Sequence, residues 1–268
     1  MPTLNCDGVT VNFHDVGSGE PIVLIHCSSS SHRQWRGLWE LLQDDYRVVA
    51  VDMLGWGGTD AWTNTEGFLL DDEIALLNAI TKDIDSEFHL VGHSYGGTIA
   101  NHLAMTSPEK IKSLTLIEPM LGWFLDPETE SAAYNEIRNV AEFFWDCVAA
   151  GKSEEGIQHY FDYWNGPGAW ESLDENLVAY VLTGAQKNVH EFEVIFGGGE
   201  GLALPETFNK PTLLVGGKKS KKPTLRVLEI LENRFPDVRK RLIDGAGHMS
   251  PITHSDQINK VIQKFIVG

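Results

Sequence analysis

The chain has 268 residues, 42% hydrophobic and 22% charged, an ordinary globular composition long enough for one α/β core carrying an inserted subdomain. Its formal net charge of -17 repels a phosphate backbone and argues against a nucleic-acid partner. No basic stretch followed by an apolar one opens the chain and no run of about 18 apolar residues occurs, so neither a secretion signal nor a membrane span is expected. Three widely separated cysteines, Cys6, Cys27 and Cys147, fit neither a disulfide framework nor a zinc site and point to a reducing cytoplasm.

In chain order, Val9 to Asp15 reads as an antiparallel entry strand, and short apolar runs then recur at Pro21–His26, Tyr46–Asp52, Phe88–Gly92, Ser113–Ile117, Pro211–Gly216 and Val238–Ile243. Helical patterns alternate with them, among them Gly97–Thr106, stopped by Ser107-Pro108, Thr224–Asn233, stopped before Pro236, and a final segment Asp256–Ile266. This alternation predicts an α/β fold whose mostly parallel, doubly wound sheet is covered on both faces.

The stretch 119–205 breaks the alternation and reads as helices alone. Stripes at helical spacing run through Ala133, Ile137, Val140, Phe144 and Val148, through Ile157, Tyr160, Phe161 and Trp164, and through Leu177, Tyr180, Val181 and Gly184. The expected division is therefore a core of 1–118 and 206–268 with a helical cap of 119–205. Fourteen aromatic residues fall within the cap; any one of them is read first as cap core and only second as the wall of an apolar substrate cavity.

Gly92-His93-Ser94-Tyr95-Gly96-Gly97 follows the Phe88 run and precedes a helix, so G-x-S-x-G lies between a strand and a helix, the context that gives the pattern meaning. With glycine at ~7% of residues, the bare pattern arises by chance in roughly one chain in ten of this length. Gly92 and Gly96 let backbone approach a tight turn without a Cβ clash, and Ser94 then stands at a helix N-terminus where the Tyr95 amide can face a developing oxyanion. The plain alternative is a glycine-rich turn with an idle serine.

A serine hydroxyl needs a base, and Asp244-Gly245-Ala246-Gly247-His248-Met249 supplies His248 in a glycine-rich loop after the last strand. His93 is read as a support of the elbow. The loop after the first parallel strand, His26-Cys27-Ser28-Ser29-Ser30-Ser31, offers the Ser28 amide as second oxyanion donor, although a serine-rich run is more often a solvated turn.

With these residues in place the chain resembles the α/β-hydrolase superfamily, in particular its capped esterase, lactonase and haloperoxidase-like branch, from Val9 to Ile266. Four segments carry the resemblance: the His26 loop, Val51-Asp52-Met53-Leu54-Gly55-Trp56-Gly57-Gly58, the Ser94 elbow, and Gly245-Ala246-Gly247-His248. It implies Ser94 as nucleophile, His248 as general base, and no metal or organic cofactor. The triad acid departs from the usual pattern, because the loop Gly217-Lys218-Lys219-Ser220-Lys221-Lys222 holds no carboxylate where most of the superfamily has an Asp. Glu118, directly after Ser113–Ile117, matches the alternative acid position of some relatives and keeps the Ser, acid, His order. Asp244 and the remoter Asp126 are the other carboxylates considered, and the lysine loop is read as a solvated turn rather than an anion site.

The leading expectation is cleavage of a carboxylic ester, thioester or lactone with an apolar or aromatic-compatible small-molecule substrate. C–C bond hydrolysis or perhydrolysis is a variant on the same machinery, and dehalogenation is disfavoured because it needs a carboxylate where Ser94 stands. From a different class, a small-molecule binding protein or receptor would keep the pocket and a vestigial serine, and the missing acid favours it. The substrate and the oligomeric state stay open.

Overall fold

Eight strands form one sheet in the computed structural model, which describes residues 2–6, 8–61, 70–198 and 204–268. They are β1 (Thr3–Cys6), β2 (Val9–Val16), β3 (Glu20–Ile25), β4 (Tyr46–Val51), β5 (Phe88–His93), β6 (Ile111–Ile117), β7 (Thr212–Gly217) and β8 (Val238–Ile243), in the order β1-β2-β4-β3-β5-β6-β7-β8. The β1–β2 and β2–β4 pairs are antiparallel and the other five pairs are parallel. The six parallel runs and the entry strand thus lie where the sequence predicts them, and β1 is an additional edge strand too short and polar to show as a pattern.

Alternate residues of each parallel strand face opposite layers, as the period of two requires. From β3, Ile22 and Leu24 pack with Leu38, Trp39 and Leu42 of α1 (Arg36–Leu42) and with Ile258, Ile262 and Ile266 of the C-terminal helix Ser255–Val267. Val23 and Ile25 face the other way, toward Ile99 and Leu103 of the helix Tyr95–Thr106 and Leu76 and Ile80 of α2 (Leu70–Thr81). We number the remaining helices in chain order: α3 (Tyr95–Thr106), α4 (Ser131–Ala149), α5 (Ser153–Asn165), α6 (Glu175–Thr183), α7 (Ala185–Gly197), α8 (Lys222–Glu232), α9 (Ser250–Thr253) and α10 (Ser255–Val267).

Helices α4 to α7 all lie between β6 and β7. Three of them carry the three predicted stripes; α7, which no stripe announced, carries Lys187, Asn188 and Glu191. Register levels the strand ends that matter for chemistry: His93 pairs with Ile117, Ile117 with Val215, and Gly217 with Ile243. The residues that follow β3, β5, β6 and β8 therefore emerge along one edge, the carboxyl end of the parallel strands, where open α/β sheets place their ligands.

Candidate active site

Ser94 lies between β5 and α3 with φ 56° and ψ -119°. The turn requires its glycines: a Cβ on Gly96 would stand 2.2 Å from the His26 carbonyl oxygen, and one on Gly92 would stand 2.3 Å from that of Gly96. Helix α3 begins at Tyr95, two residues earlier than the sequence suggests, so the helix N-terminus directly abuts Ser94. Among the described residues, only Ser29, Ser94 and Glu118 adopt positive φ without being glycine. All three border this site, where surrounding structure can hold strained backbone.

The Ser94 hydroxyl is 2.9 Å from His248 Nε2, and His248 Nδ1 is 2.8 Å from Glu118 Oε2. All three side chains are buried, with exposures of 5% for Ser94, 3% for His248 and 0% for Glu118. The acceptor on the Nδ1 side fixes that nitrogen as the N–H donor and leaves Nε2 to receive the serine proton. Glu118 is itself held by donors from the loop that lacks an acid: the Gly217 amide donates to Oε1 at 2.7 Å and the Ser220 hydroxyl donates to the same oxygen. Burial alone would raise the Glu118 carboxyl, but hydrogen bonds from His248, Ser220 and Gly217 overcome it and hold it below its ordinary value.

Asp244, the nearest alternative in sequence, is exposed and paired with Lys218 at 2.6 Å. Asp126 accepts the amides of Glu128 and Thr129 in an exposed turn. Neither reaches His248. The lysine loop stays out of the cavity lining, and Lys221 lies over the Tyr163 ring, 4.7 Å from its centre.

His93 donates from Nε2 to the His248 carbonyl at 2.9 Å, which makes its expected supporting role specific. Burial drives its pKa down to about 3, so the ring is neutral and keeps that donor. His26 acts likewise on the opposite loop. Its Nδ1 donates to the Cys27 carbonyl at 2.6 Å and its Nε2 accepts the Met53 amide at 3.1 Å, and burial lowers its pKa to about 4. Gln34 takes the Cys27 amide. The loop that carries Ser28 is thereby pinned beside Ser94, and Ser28 and Ser94 border the same cavities.

A cavity of about 590 Å³ opens over Ser94 and His248. Tyr160, Phe161, Trp164, Leu177, Tyr180 and Val181 of α5 and α6 line it. These aromatic residues serve as both wall and core: Trp164 belongs to the buried core and Tyr160, Phe161 and Tyr180 pack against it, while all four also line the cavity; Phe144 is core as expected. Trp164 covers the imidazole, with ring centres 4.1 Å apart. Sequence reasoning also missed a buried charge cluster beside the site. Lys187 pairs with Glu73 at 2.5 Å, and Glu191 accepts from the Trp56 indole at 2.8 Å. Burial pushes Glu191 up to about 7, against the Lys187 charge and the Ser28 and Trp56 donors.

Fold and site together define a hydrolase class, and comparison gives the family. A match to the alpha/beta hydrolase fold family covers residues 20–255, and the chain belongs to that family. A 2-hydroxy-6-oxo-6-(2'-aminophenyl)hexa-2,4-dienoic acid hydrolase of Metapseudomonas resinovorans is 32% identical across 98% of this chain and 89% of its own. A pimeloyl-[acyl-carrier protein] methyl ester esterase of Aeromonas hydrophila is 23% identical across 96% of this chain and all of its own. Among solved structures, an alpha/beta hydrolase from a deep-sea metagenome library superposes with a TM-score of 0.82 at 14% identity, covering 100% of this chain and 98% of its own. A serine hydrolase of carbazole degradation does so with 0.72 at 22%, covering 99% and 98%; both likenesses concern the fold. Among the described residues no helix is long and apolar enough to cross a membrane.

Proposed function

We propose that the chain is a serine hydrolase that cleaves a carboxylic ester, thioester or lactone through an acyl-enzyme. His248 takes the Ser94 proton as Oγ attacks the carbonyl carbon. The amides of Tyr95 and Ser28 hold the resulting oxyanion, and His248 returns the proton to the leaving oxygen or sulfur. Water then repeats the sequence against the acyl-serine, releasing the acid and restoring Ser94. Glu118 orients the imidazole and balances its transient positive charge. Residues 119–205 act as a cap whose aromatic wall receives the apolar part of the substrate.

The contact that carries this reading is the continuous chain of hydrogen bonds Ser94–His248–Glu118 at 2.9 and 2.8 Å. It also weakens the binding-protein alternative, which drew its support from a missing acid. C–C bond hydrolysis is retained as a second reading, on the 32% identity to a hydrolase of a 2-hydroxy-6-oxo-dienoic acid. Fluorophosphonate labelling with peptide mapping, alongside p-nitrophenyl ester turnover by wild type and Ser94→Ala, tests the proposal. Labelling at Ser94 and turnover abolished in the variant are expected; a folded wild type that neither labels nor turns over returns the binder to first place.

A further inference from the structure

Beside Ser94 the site has a second, smaller compartment. It is a hole of about 10 Å³ with Ser28, Ser94, Asn188 and Glu191 on its polar side and an apolar side that includes Trp164 and Phe192, room for one water-sized group. Its polar wall is rich in acceptors. The Asn188 amide nitrogen is directed to Ser29 Oγ at 3.3 Å, and its Oδ1 is buried with no hydrogen-bond partner among the described residues. Glu191 is 2% exposed and accepts the Trp56 indole N–H on Oε1 and a hydrogen bond from Ser28, which leaves part of the roughly four lone-pair sites of a carboxylate to be filled. The adjoining Lys187 is engaged with Glu73, so two buried carboxylates share the neighbourhood of one ammonium. A buried acceptor left unmatched is destabilising, so a ligand that brings a donor gains where an alkyl group does not.

The two compartments meet at Ser94 and differ in size. The larger suits the part of the substrate that leaves first; the small hole, beside the buried Glu191 and Asn188, suits the part that stays on the serine. We infer that the hole bordered by Glu191 and Asn188 is an acyl subsite for one hydroxyl donor, so that the preferred substrate is the ester of a short 2-hydroxyacyl group such as glycolyl. The inference rests on the serine-hydrolase reading of Ser94 and adds the substrate class to it. Glu191 and Asn188 are specificity-determining residues in this scheme, since they meet the acyl hydroxyl and no reacting atom.

Four benzyl esters test it: glycolate, propionate, methoxyacetate and glycinate, with each kcat/KM divided by the rate of hydroxide hydrolysis of the same ester to remove intrinsic reactivity. Wild type is expected to favour glycolate over propionate by at least about tenfold, because sites built to pair a hydroxyl reject the analogue lacking it. Methoxyacetate, which cannot donate, should fall with propionate, and Glu191→Gln should shrink the glycolate preference. Equal normalised rates for glycolate and propionate in wild type overturn the inference, as does a preference untouched in folded Glu191→Gln. A glycinate ahead of glycolate assigns the subsite to an ammonium and overturns the hydroxyl. Should no ester turn over, the hydrolase reading fails by itself; glycolamide and propionamide binding, followed by tryptophan fluorescence, then decides the subsite. Tighter glycolamide supports it, and equal affinities sink it.

Discussion

The Nε2–H of His93 is bonded at 2.9 Å to the main-chain carbonyl of His248, so the residue immediately before Ser94 holds the loop that carries the proposed base. The other ring nitrogen of His93 is buried with no hydrogen-bond partner among the described residues. The side chain thus combines one useful bond with one unmatched polar atom, and its stability contribution and its positioning role separate.

His93→Leu is expected to change stability by less than about 2 kcal/mol, because the lost bond and the removed unpaired nitrogen offset each other. The ester kcat should nevertheless fall about tenfold at near-constant KM, since a freed His248 loop spends less time in reacting geometry. Thermal melts beside steady-state kinetics check both halves; an unchanged kcat in the folded variant refutes the positioning role.

Glu118→Gln should leave the fold intact and lower kcat by up to about 10⁴, as an amide can hold the imidazole in the wrong tautomer. Ser220→Ala removes one donor to that carboxylate and leaves Gly217 and His248 in place. It should destabilise by about 1.5–3 kcal/mol and reduce kcat far less than Glu118→Gln. Paired denaturant melts and turnover numbers distinguish the two; equal kcat losses would mean that Ser220 does more than hold Glu118.

Glu191 predicts a pH-dependent stability with a definite sign. Its carboxyl stands at about 7 in the fold against 4.5 ordinarily, through burial, with the charges of Lys187 and Glu73 acting on it. Above pH 4.5 the unfolded chain releases a proton that the native chain retains, so stability falls as pH rises toward 7. The full difference is about 3 kcal/mol at 1.36 kcal/mol per unit. Relative to Glu191→Gln, wild type should lose that amount between pH 4.5 and about 7.5; parallel stability curves for the two proteins contradict the prediction.

Gly96→Ala should prevent native folding or cost several kcal/mol. The added Cβ meets two carbonyl oxygens, of His26 at 2.2 Å and of Ile25 at 2.6 Å, and neither is a flexible side-chain end. Soluble yield and circular dichroism give the answer, and a stable, active variant would show that the elbow has slack.

The α/β class, the six parallel strands and their entry strand, the elbow at Ser94 and the loop at His248 are all legible in the residues alone. Each is written locally: a run of branched apolar residues makes a buried strand, and glycines at 92 and 96 permit a turn that other residues cannot enter. Which carboxylate meets His248 is set by the packed sheet, because Glu118 lies 130 positions away and is brought there by the register of β5, β6 and β7. The same holds for Ser220 and Gly217, which support that acid from a loop legible only as lysine-rich, and for the His93 bond across 155 positions. Helix α7 hid Asn188 and Glu191 altogether, since a polar residue inside a helix looks like a solvated face until packing closes over it. Periodicity could likewise say that Tyr160, Phe161 and Trp164 share one face of a helix. Whether that face met another helix or an open cavity depended on where the strand ends stood.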